Sequence, residues 1–187
     1  MTYKFETEPY DHQREIFNDS WAVKNYALFL EMGTGKTKLA VDTAGALYEA
    51  GQIDTVLVIA PKGVYANWTQ KEIPIHLPER IKRSVLQWQP NFTKKYVKEI
   101  RKLATIHTAL HWLVMNVEAM STKKGAAAAH KYLSMNPHNL VIVDESTTVK
   151  NRKAQRTKNI VKAGELAKYR RILTGSPITK NPMDLYS

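Results

Sequence analysis

Leu-Phe-Leu-Glu-Met-Gly-Thr-Gly-Lys-Thr, residues 28–37, is the stretch that sets the fold of this chain. The apolar run over residues 26–30 predicts a short buried strand, which ends before two closely spaced glycines. A helical pattern then begins at Lys36-Thr37, keeps small and apolar residues on one face, and ends at Gly51. A strand, a glycine-rich loop and a helix start, in this order, predict a loop that binds phosphate.

The residue types of this loop suit an anion. Glycines let successive backbone N–H groups turn toward one phosphate, and the helix N-terminus adds partial positive charge. We expect nucleotide contacts from six neighbouring residues: Met32, Gly33, Thr34, Gly35, Lys36 and Thr37. Lys36 is expected to act in catalysis at the β- and γ-phosphates, and the Thr37 hydroxyl is expected to hold Mg²⁺. Leu30 stands where the strict pattern has its first glycine, so a tight glycine turn before an ordinary helix is the alternative.

Net charge indicates the class of partner. The chain has 187 residues, and its 28 Lys and Arg against 17 Asp and Glu give a net charge of +11. An excess of this size indicates a polyanionic partner, with nucleic acid ahead of a membrane surface. The alternative is a basic protein whose charge serves only solubility.

The sequence contains no membrane or secretion signal. No apolar run approaches the roughly 20 residues of a membrane span, and the N-terminus lacks an apolar signal core. The absence of Cys excludes a disulfide framework and a thiolate zinc site, and it fits a reducing compartment. We therefore expect a cytoplasmic protein with no membrane partner.

Strand and helix patterns alternate along the rest of the chain. Five further segments have the apolar or β-branched composition of strands: residues 55–60, 81–88, 112–116, 140–143 and 171–173. Helical patterns precede and separate them, over residues 14–20, 64–72, 91–106 and 150–169, with a further helix around residues 126–129. The alternation predicts an α/β fold with a mainly parallel sheet, whose ligand lies at the carboxyl ends of the strands.

Two adjacent carboxylates, Asp144 and Glu145, follow the predicted strand over residues 140–143. One carboxylate of such a pair can hold magnesium, usually through water, and the other can orient and deprotonate an attacking water. The alternative is a pair of acids that opens a helix. Because a phosphate-binding loop is already predicted, we favour Asp144 as a magnesium ligand and Glu145 as the catalytic base.

Three further features have weaker support. Gln13 could read an adenine edge, because a carboxamide offers a donor and an acceptor side by side. From the sequence alone, however, a surface Gln on a helix is favoured. The basic helix predicted over residues 91–106 fits either a nucleic-acid contact or a solvated charged face. His107 and His111 could share a helix face, yet a zinc site would need more ligands than these two supply.

Five segments occur in the order of known motifs and carry a family resemblance. They are Gln13 and residues 31–37, 59–61, 143–145 and 173–178. They resemble the Q motif and motifs I, Ia, II and III of superfamily-two helicases. The closest likeness is to Swi/Snf-type DNA translocases, in particular the short phage-encoded members. Further matches to that branch lie at Asn67-Trp68, Lys150-Asn151, Asn181 and residues 185–187.

The resemblance implies that residues 1–187 form a single RecA-like P-loop NTPase domain with helices on both faces of its sheet. This domain is the N-terminal ATP-binding lobe of a DNA translocase, and the strand that ends at Thr174 lies between the strands of Leu28 and Val143. ATP and Mg²⁺ are the implied cofactors, double-stranded DNA is the favoured partner, and a bacterium or a phage-infected cell is the implied host. The resemblance also assigns Gln13 to adenine selection, and Lys62, Asn116, Thr174 and Ser176 to nucleic-acid contact or coupling.

The chain departs from the family pattern in two places. Ser146-Thr147 replaces an Ala-His pair, which bears on coupling to motif III rather than on hydrolysis, and Ser176 replaces a Thr while keeping the hydroxyl. An RNA helicase or a restriction-enzyme motor is the alternative within the class. A nucleotide-gated binding module without turnover is the alternative outside it, but such a module has no need of a base such as Glu145.

Motifs IV to VI, which belong to a second RecA-like lobe and carry the arginine finger of the family, are absent from this sequence. An arginine finger contributes roughly 10³- to 10⁵-fold to the rate of phosphoryl transfer. We therefore expect the 187-residue chain to bind ATP, with ATPase turnover close to background and little stimulation by DNA. The check is steady-state ATPase activity of this chain and of a longer protein with both lobes, each with and without duplex DNA. DNA-stimulated turnover of about one per second or more by this chain alone would contradict the expectation.

Overall fold

Six parallel strands form one sheet within the residues that the computed structural model describes, which are 3–90, 108–145 and 153–175. The strands are β1 (Asn25–Phe29), β2 (Thr55–Ala60), β3 (Arg83–Gln87), β4 (Leu110–Asn116), β5 (Asn139–Asp144) and β6 (Tyr169–Thr174). Their order across the sheet is β1-β6-β5-β2-β4-β3, and every neighbouring pair is parallel. The predicted α/β class is confirmed, and each predicted strand is present with its ends shifted by at most a few residues.

Helices cover both faces of this sheet. They are α1 (Asp11–Ser20), α2 (Lys36–Glu49), α3 (Tyr65–Asn67), α4 (Ile73–His76), α5 (Lys123–Ser134) and α6 (Gln155–Glu165). A π turn over Trp68–Glu72 joins α3 to α4, and a 3₁₀ turn over Val117–Ser121 precedes α5. Several sequence predictions lie outside the described residues: the helix over residues 91–106, Ser146-Thr147, Lys150-Asn151, Ser176, Asn181 and residues 185–187.

Strand β2 shows why the core has two halves. All six of its residues are buried, and side chains alternate between the two faces along a strand. Val56 and Val58 pack in the half of the core that α1 and α2 cover, whereas Leu57 and Ile59 pack in the half that α5 and α6 cover. An apolar run buried on both sides is typical of a parallel sheet. Packing on both faces fixes the position of β2 at the centre of the sheet.

The strand register brings the carboxyl ends of three strands together. Phe29 of β1 pairs with Thr174 of β6, and Asp144 of β5 pairs with Leu173 of β6. Strand β6 therefore lies between β1 and β5, as the resemblance implied. The loops that follow these three strands start from the same edge of the sheet, where the ligand of such a fold is expected.

The helix predicted over residues 150–169 is wrong at its C-terminal end. Helix α6 ends at Glu165, and β6 begins at Tyr169. The reason is tertiary: the Arg170 amide donates to the Lys24 carbonyl oxygen at 2.7 Å, and the strand pairs with β1 on one side and β5 on the other. Pairing on both sides of a strand outweighs a local helical preference.

The described part of the chain contains neither a metal cluster nor a membrane span. His111 lies buried in β4, so the helix face predicted for it with His107 is wrong, and His107 itself lies outside the described residues. Within residues 3–90, 108–145 and 153–175, no group of three or more His, Asp or Glu side chains could hold a metal ion. No helix of those ranges is long and apolar enough to cross a membrane.

Arg171 of β6 ties the sheet to the end of α1. Its side chain is buried, with 1% exposure, and its guanidinium donates to the carbonyl oxygens of Ser20 at 2.9 Å and Trp21 at 3.1 Å. These carbonyls stand at the C-terminal end of a helix, where internal partners are lacking and partial negative charge accumulates. Burial lowers the pKa of Arg171 to about 10, so the guanidinium stays protonated at neutral pH. Sequence reasoning did not identify this buried cation.

We expect Arg171→Met to lower the free energy of unfolding by about 2–4 kcal/mol, because the Trp21 carbonyl oxygen loses the guanidinium donor and the Ser20 carbonyl oxygen keeps only the Val23 amide. Arg156→Met in α6 is the matched control, since Arg156 is half-buried and its loss should change the stability by less than about 0.5 kcal/mol. Urea unfolding of both variants measures the difference. Equal stability of the two variants would contradict the structural role of Arg171.

Candidate functional site

Two glycines shape the loop between β1 and α2. Gly33 has a φ of 80° and Gly35 has a φ of 87°, and residues with a side chain rarely adopt this left-handed region. Gly35 is also the N-cap of α2. A Cβ at Gly35 would collide with the side chain of Gln13, whereas Gly33 has open space around it. Gly35 is therefore required both by the backbone conformation and by the close approach of α1.

Lys36 folds back over the loop that precedes it. Its Nζ donates to the carbonyl oxygens of Leu30 and Glu31, each at 2.8 Å. The hydroxyl of Thr34 donates to the same Glu31 oxygen at 2.7 Å, which tightens the turn. An ammonium group has three donors, so the two bonds of Lys36 leave one for an oxygen of a ligand.

Gln13 of α1 is packed against this loop. Its Nε2 donates to the Thr34 carbonyl oxygen at 3.0 Å, and its Oε1 accepts from the Tyr10 amide at 3.1 Å. With 3% exposure, Gln13 is buried, so the interpretation of it as a surface residue is wrong. Each amide atom keeps capacity for a further hydrogen bond, and adenine selection by Gln13 stays a prediction.

Asp144 ends β5 in a half-buried position. Its Oδ2 accepts a hydrogen bond from the indole Nε1 of Trp68 at 2.8 Å. Burial raises the pKa of Asp144, the Trp68 bond opposes this rise, and the neighbouring Glu145 charge adds to it. Lys36 also lowers the pKa of Asp144 through its charge. The loop lysine and the strand carboxylate therefore act on each other across the end of the sheet.

Glu145 is held by the end of β6. The Thr174 hydroxyl donates to Glu145 Oε1 at 3.1 Å, and the Thr174 carbonyl oxygen accepts from the Leu30 amide at 3.3 Å. Glu145 has a φ of 51°, an uncommon backbone conformation for a residue with a side chain. Strained positions of this kind cluster at functional sites, where the surrounding structure enforces them. Thr174, buried at the strand end, connects Leu30, before the glycine-rich loop, to Glu145, the predicted base.

Lys62 and Asn116, two predicted contacts of nucleic acid, follow or end strands at the same edge of the sheet. Lys62 is exposed in the turn after β2. Asn116 ends β4 and pairs with Ala60 in the sheet, and its Oδ1 caps the 3₁₀ turn by accepting from the Ala119 amide at 2.8 Å. Within the described residues, the Asn116 side chain therefore has a structural role as a cap. Its contact with nucleic acid, like that of Lys62, stays a prediction.

The donor set fits a nucleotide with magnesium. Met32 is exposed at the tip of the loop, and Thr37 lies half-buried in the first turn of α2, directly after Lys36. A threonine hydroxyl and the Asp144 carboxylate are oxygen ligands, which Mg²⁺ prefers, and the loop amides at a helix N-terminus suit phosphate. These residues are therefore the ones that would hold the ion and the phosphates.

Comparison with known proteins gives a family match along nearly the whole chain. The family described as SNF2-related domain matches residues 12–187. Two similar proteins are SNF2 domain-containing protein ENL1 from Oryza sativa subsp. japonica, 26% identical over 182 residues, and Protein CHROMATIN REMODELING 24 from Arabidopsis thaliana, 24% identical over 197 residues. The alignments cover 95% and 98% of this chain but only 18% and 17% of those proteins.

A solved structure shares the fold. The SWI2/SNF2 ATPase core of Sulfolobus solfataricus, in complex with dsDNA, superimposes with a TM-score of 0.70 at 20% sequence identity. The superposition covers 98% of this chain and 35% of that one. At this level of identity the match bears on the fold alone, and it confirms the predicted RecA-like lobe.

Proposed function

This chain belongs to the SNF2-related domain family, and we propose that it is the ATP-binding lobe of a nucleic-acid-dependent ATPase that couples hydrolysis to movement on DNA. The observation that carries this proposal is the pair of bonds made by Thr174, one to the Glu145 carboxylate and one to the Leu30 amide. They connect the phosphate-binding loop to a carboxylate suited to act as a base. A module that only bound nucleotide would need the loop but not this carboxylate.

The site residues have distinct proposed roles. Lys36 would bind the β- and γ-phosphates, while Thr37 and Asp144 would hold Mg²⁺ through oxygen atoms. An ion held there would supply positive charge that offsets the charge developing on the phosphoryl oxygens. Glu145 orients the attacking water and accepts its proton, and the Thr174 hydroxyl fixes the direction of the carboxylate.

Gln13 is the proposed adenine reader. Its bond to the Thr34 carbonyl oxygen places the carboxamide beside the loop that holds the phosphates. Because the loop and the reader are joined by a hydrogen bond, binding of the base and binding of the phosphates are expected to support each other.

Double-stranded DNA is the proposed partner. A solved structure that shares the fold was determined in complex with dsDNA, and the net charge of +11 suits a phosphate backbone. Exposed Lys62 lies in the turn that follows β2, at the edge of the sheet that also carries the nucleotide site. RNA would require readout of the 2′-hydroxyl, for which we assign no residue.

A second lobe is the proposed source of the arginine that completes the site. Arg170 donates to the Gly164 carbonyl oxygen and to Asn25 Oδ1, and Arg171 donates to the end of α1. Both arginines of β6 therefore have structural partners away from the loop. An arginine finger from outside this lobe would stabilise the charge of the transition state.

We expect Lys36→Ala to remove most of the ATP affinity, because it deletes the mobile positive charge at the phosphates. Glu145→Gln should keep nucleotide binding while slowing hydrolysis by roughly 10²-fold or more, as expected for the loss of general-base catalysis. Calorimetry on this chain measures binding, and steady-state assays on a protein with both lobes measure turnover. Lys131→Ala and Glu165→Gln, at exposed positions of α5 and α6, are the matched controls. Equal loss of binding in both site variants would contradict the assigned roles.

Binding to nucleic acid should be electrostatic and independent of sequence, because a translocase must hold whatever sequence passes. Affinity for duplex DNA should fall by about 0.9 log unit per log unit of salt for each phosphate contacted. Titration of fluorescent duplex DNA, single-stranded DNA and RNA at several salt concentrations measures both the slope and the preference. A salt-insensitive complex with one particular sequence would contradict this expectation, and preference for RNA would favour the RNA helicase alternative.

A further inference from the structure

Trp68 connects the segment after β2 to the carboxylate at the end of β5. Its side chain has 1% exposure, and its indole Nε1 donates to Asp144 Oδ2 at 2.8 Å. Sequence reasoning named Trp68 only as part of a match to the family and gave it no part in the site. The hydrogen bond fixes one oxygen of the carboxylate, so the other oxygen, Oδ1, is held in one direction.

Trp68 lies at the start of a π turn that side-chain hydrogen bonds stabilise. Trp68 opens the π turn, in which the Ile73 amide donates to the Trp68 carbonyl oxygen. Two side-chain bonds brace the turn: Asn67 Nδ2 donates to Glu72 Oε1 at 3.0 Å, and the Thr69 hydroxyl donates to the Ala66 carbonyl oxygen at 2.9 Å. π turns are rare in proteins and frequently lie at functional sites.

We propose that Trp68 is a positioning residue for magnesium, which acts through Asp144 by holding that carboxylate in the orientation that receives the ion. The inference rests on the proposed function, because it takes Asp144 as the magnesium ligand. Groups that hydrogen-bond to a metal ligand orient it, and their loss typically costs about 10- to 100-fold in metal affinity. The indole N–H is the only donor of a tryptophan side chain, so its removal tests this bond directly.

The chain contains a matched control for this test. Trp112 in β4 is as deeply buried as Trp68, and its Nε1 has no hydrogen-bond partner among the described residues. Trp68→Phe and Trp112→Phe therefore remove similar volumes from the core, but only the first removes a donor from the site. Loss of stability is expected in both variants and is measured by urea unfolding.

The experiment titrates MgCl₂ against binding of a non-hydrolysable ATP analogue to the 187-residue chain. Trp68→Phe should raise the Mg²⁺ concentration needed for tight binding by about 10- to 100-fold, whereas binding in EDTA stays at the wild-type level. Trp112→Phe should leave the Mg²⁺ requirement unchanged. In an Asp144→Ala background, Trp68→Phe should have no further effect, because a residue that acts through another contributes nothing once that residue is gone.

A measurement on the unsubstituted chain covers the case in which Trp68→Phe fails to fold. The chain has four tryptophans, so four indole N–H resonances report on them by NMR. The Trp68 resonance should shift on addition of MgCl₂ to the nucleotide complex, while the Trp112 resonance stays in place. A Trp68 resonance whose position does not change when MgCl₂ is added would overturn the proposal.

The outcomes separate this inference from the function on which it rests. If the wild-type chain shows no Mg²⁺-dependent nucleotide binding, the proposed function and the role of Trp68 both fail. If the wild type shows this dependence but Trp68→Phe matches Trp112→Phe, only the role of Trp68 fails. Persistence of the Trp68→Phe effect in the Asp144→Ala background would likewise overturn action through Asp144.

Discussion

The parallel register of β1, β6 and β5 underlies the contacts between the loop after β1 and the carboxylates at the end of β5. Because Phe29 pairs with Thr174, and Leu173 with Asp144, these three strands end in one row. Neighbouring strands lie about 4.8 Å apart, so the loop after β1 and the carboxylates after β5 face each other across one strand. A slip of β5 by one residue would turn Asp144 to the opposite face of the sheet. The site therefore depends on a sheet centre whose apolar packing does not permit that slip.

Burial makes hydrogen-bond partners necessary for the polar side chains that connect one element to another. A buried polar group without a partner costs about 1–3 kcal/mol. Asp144 and the two terminal nitrogens of Arg171 have partners, whereas the Arg171 Nε has none among the described residues. The Asp144 carboxylate, whose pKa burial raises, accepts from Trp68, and the Arg171 guanidinium bonds to carbonyls at the end of α1. Polar groups of this kind fix the orientation of one element on another more specifically than apolar contact alone. The same contacts that stabilise the fold thus set the directions of the functional groups.

Helix α1 contributes to the site although it comes before the first strand in the chain. Gln13 bonds to the Thr34 carbonyl oxygen. This approach requires glycine at residue 35, because a Cβ at Gly35 would collide with the Gln13 side chain. The family match begins at residue 12, so it includes α1 as well as the sheet. Since the chain covers 18% and 17% of two similar proteins, the shared unit is this lobe. Gln13 and Thr174, which lie far apart in the chain, both bond to the segment around the glycine-rich loop, at Thr34 and Leu30 respectively.

The sequence by itself determined the α/β class, and it located the glycine-rich loop after β1 and the two carboxylates at the end of β5. These features depend on local patterns: apolar runs, glycines at fixed positions, and acids at a strand end. It misplaced the end of the helix before β6, and without the family resemblance it favoured Gln13 as a surface residue. It did not reveal that Trp68 donates a hydrogen bond to Asp144 or that Arg171 donates to the carbonyl oxygen of Ser20 at the end of α1. Those contacts join residues far apart in the chain, and only the strand order and register bring them within hydrogen-bonding distance.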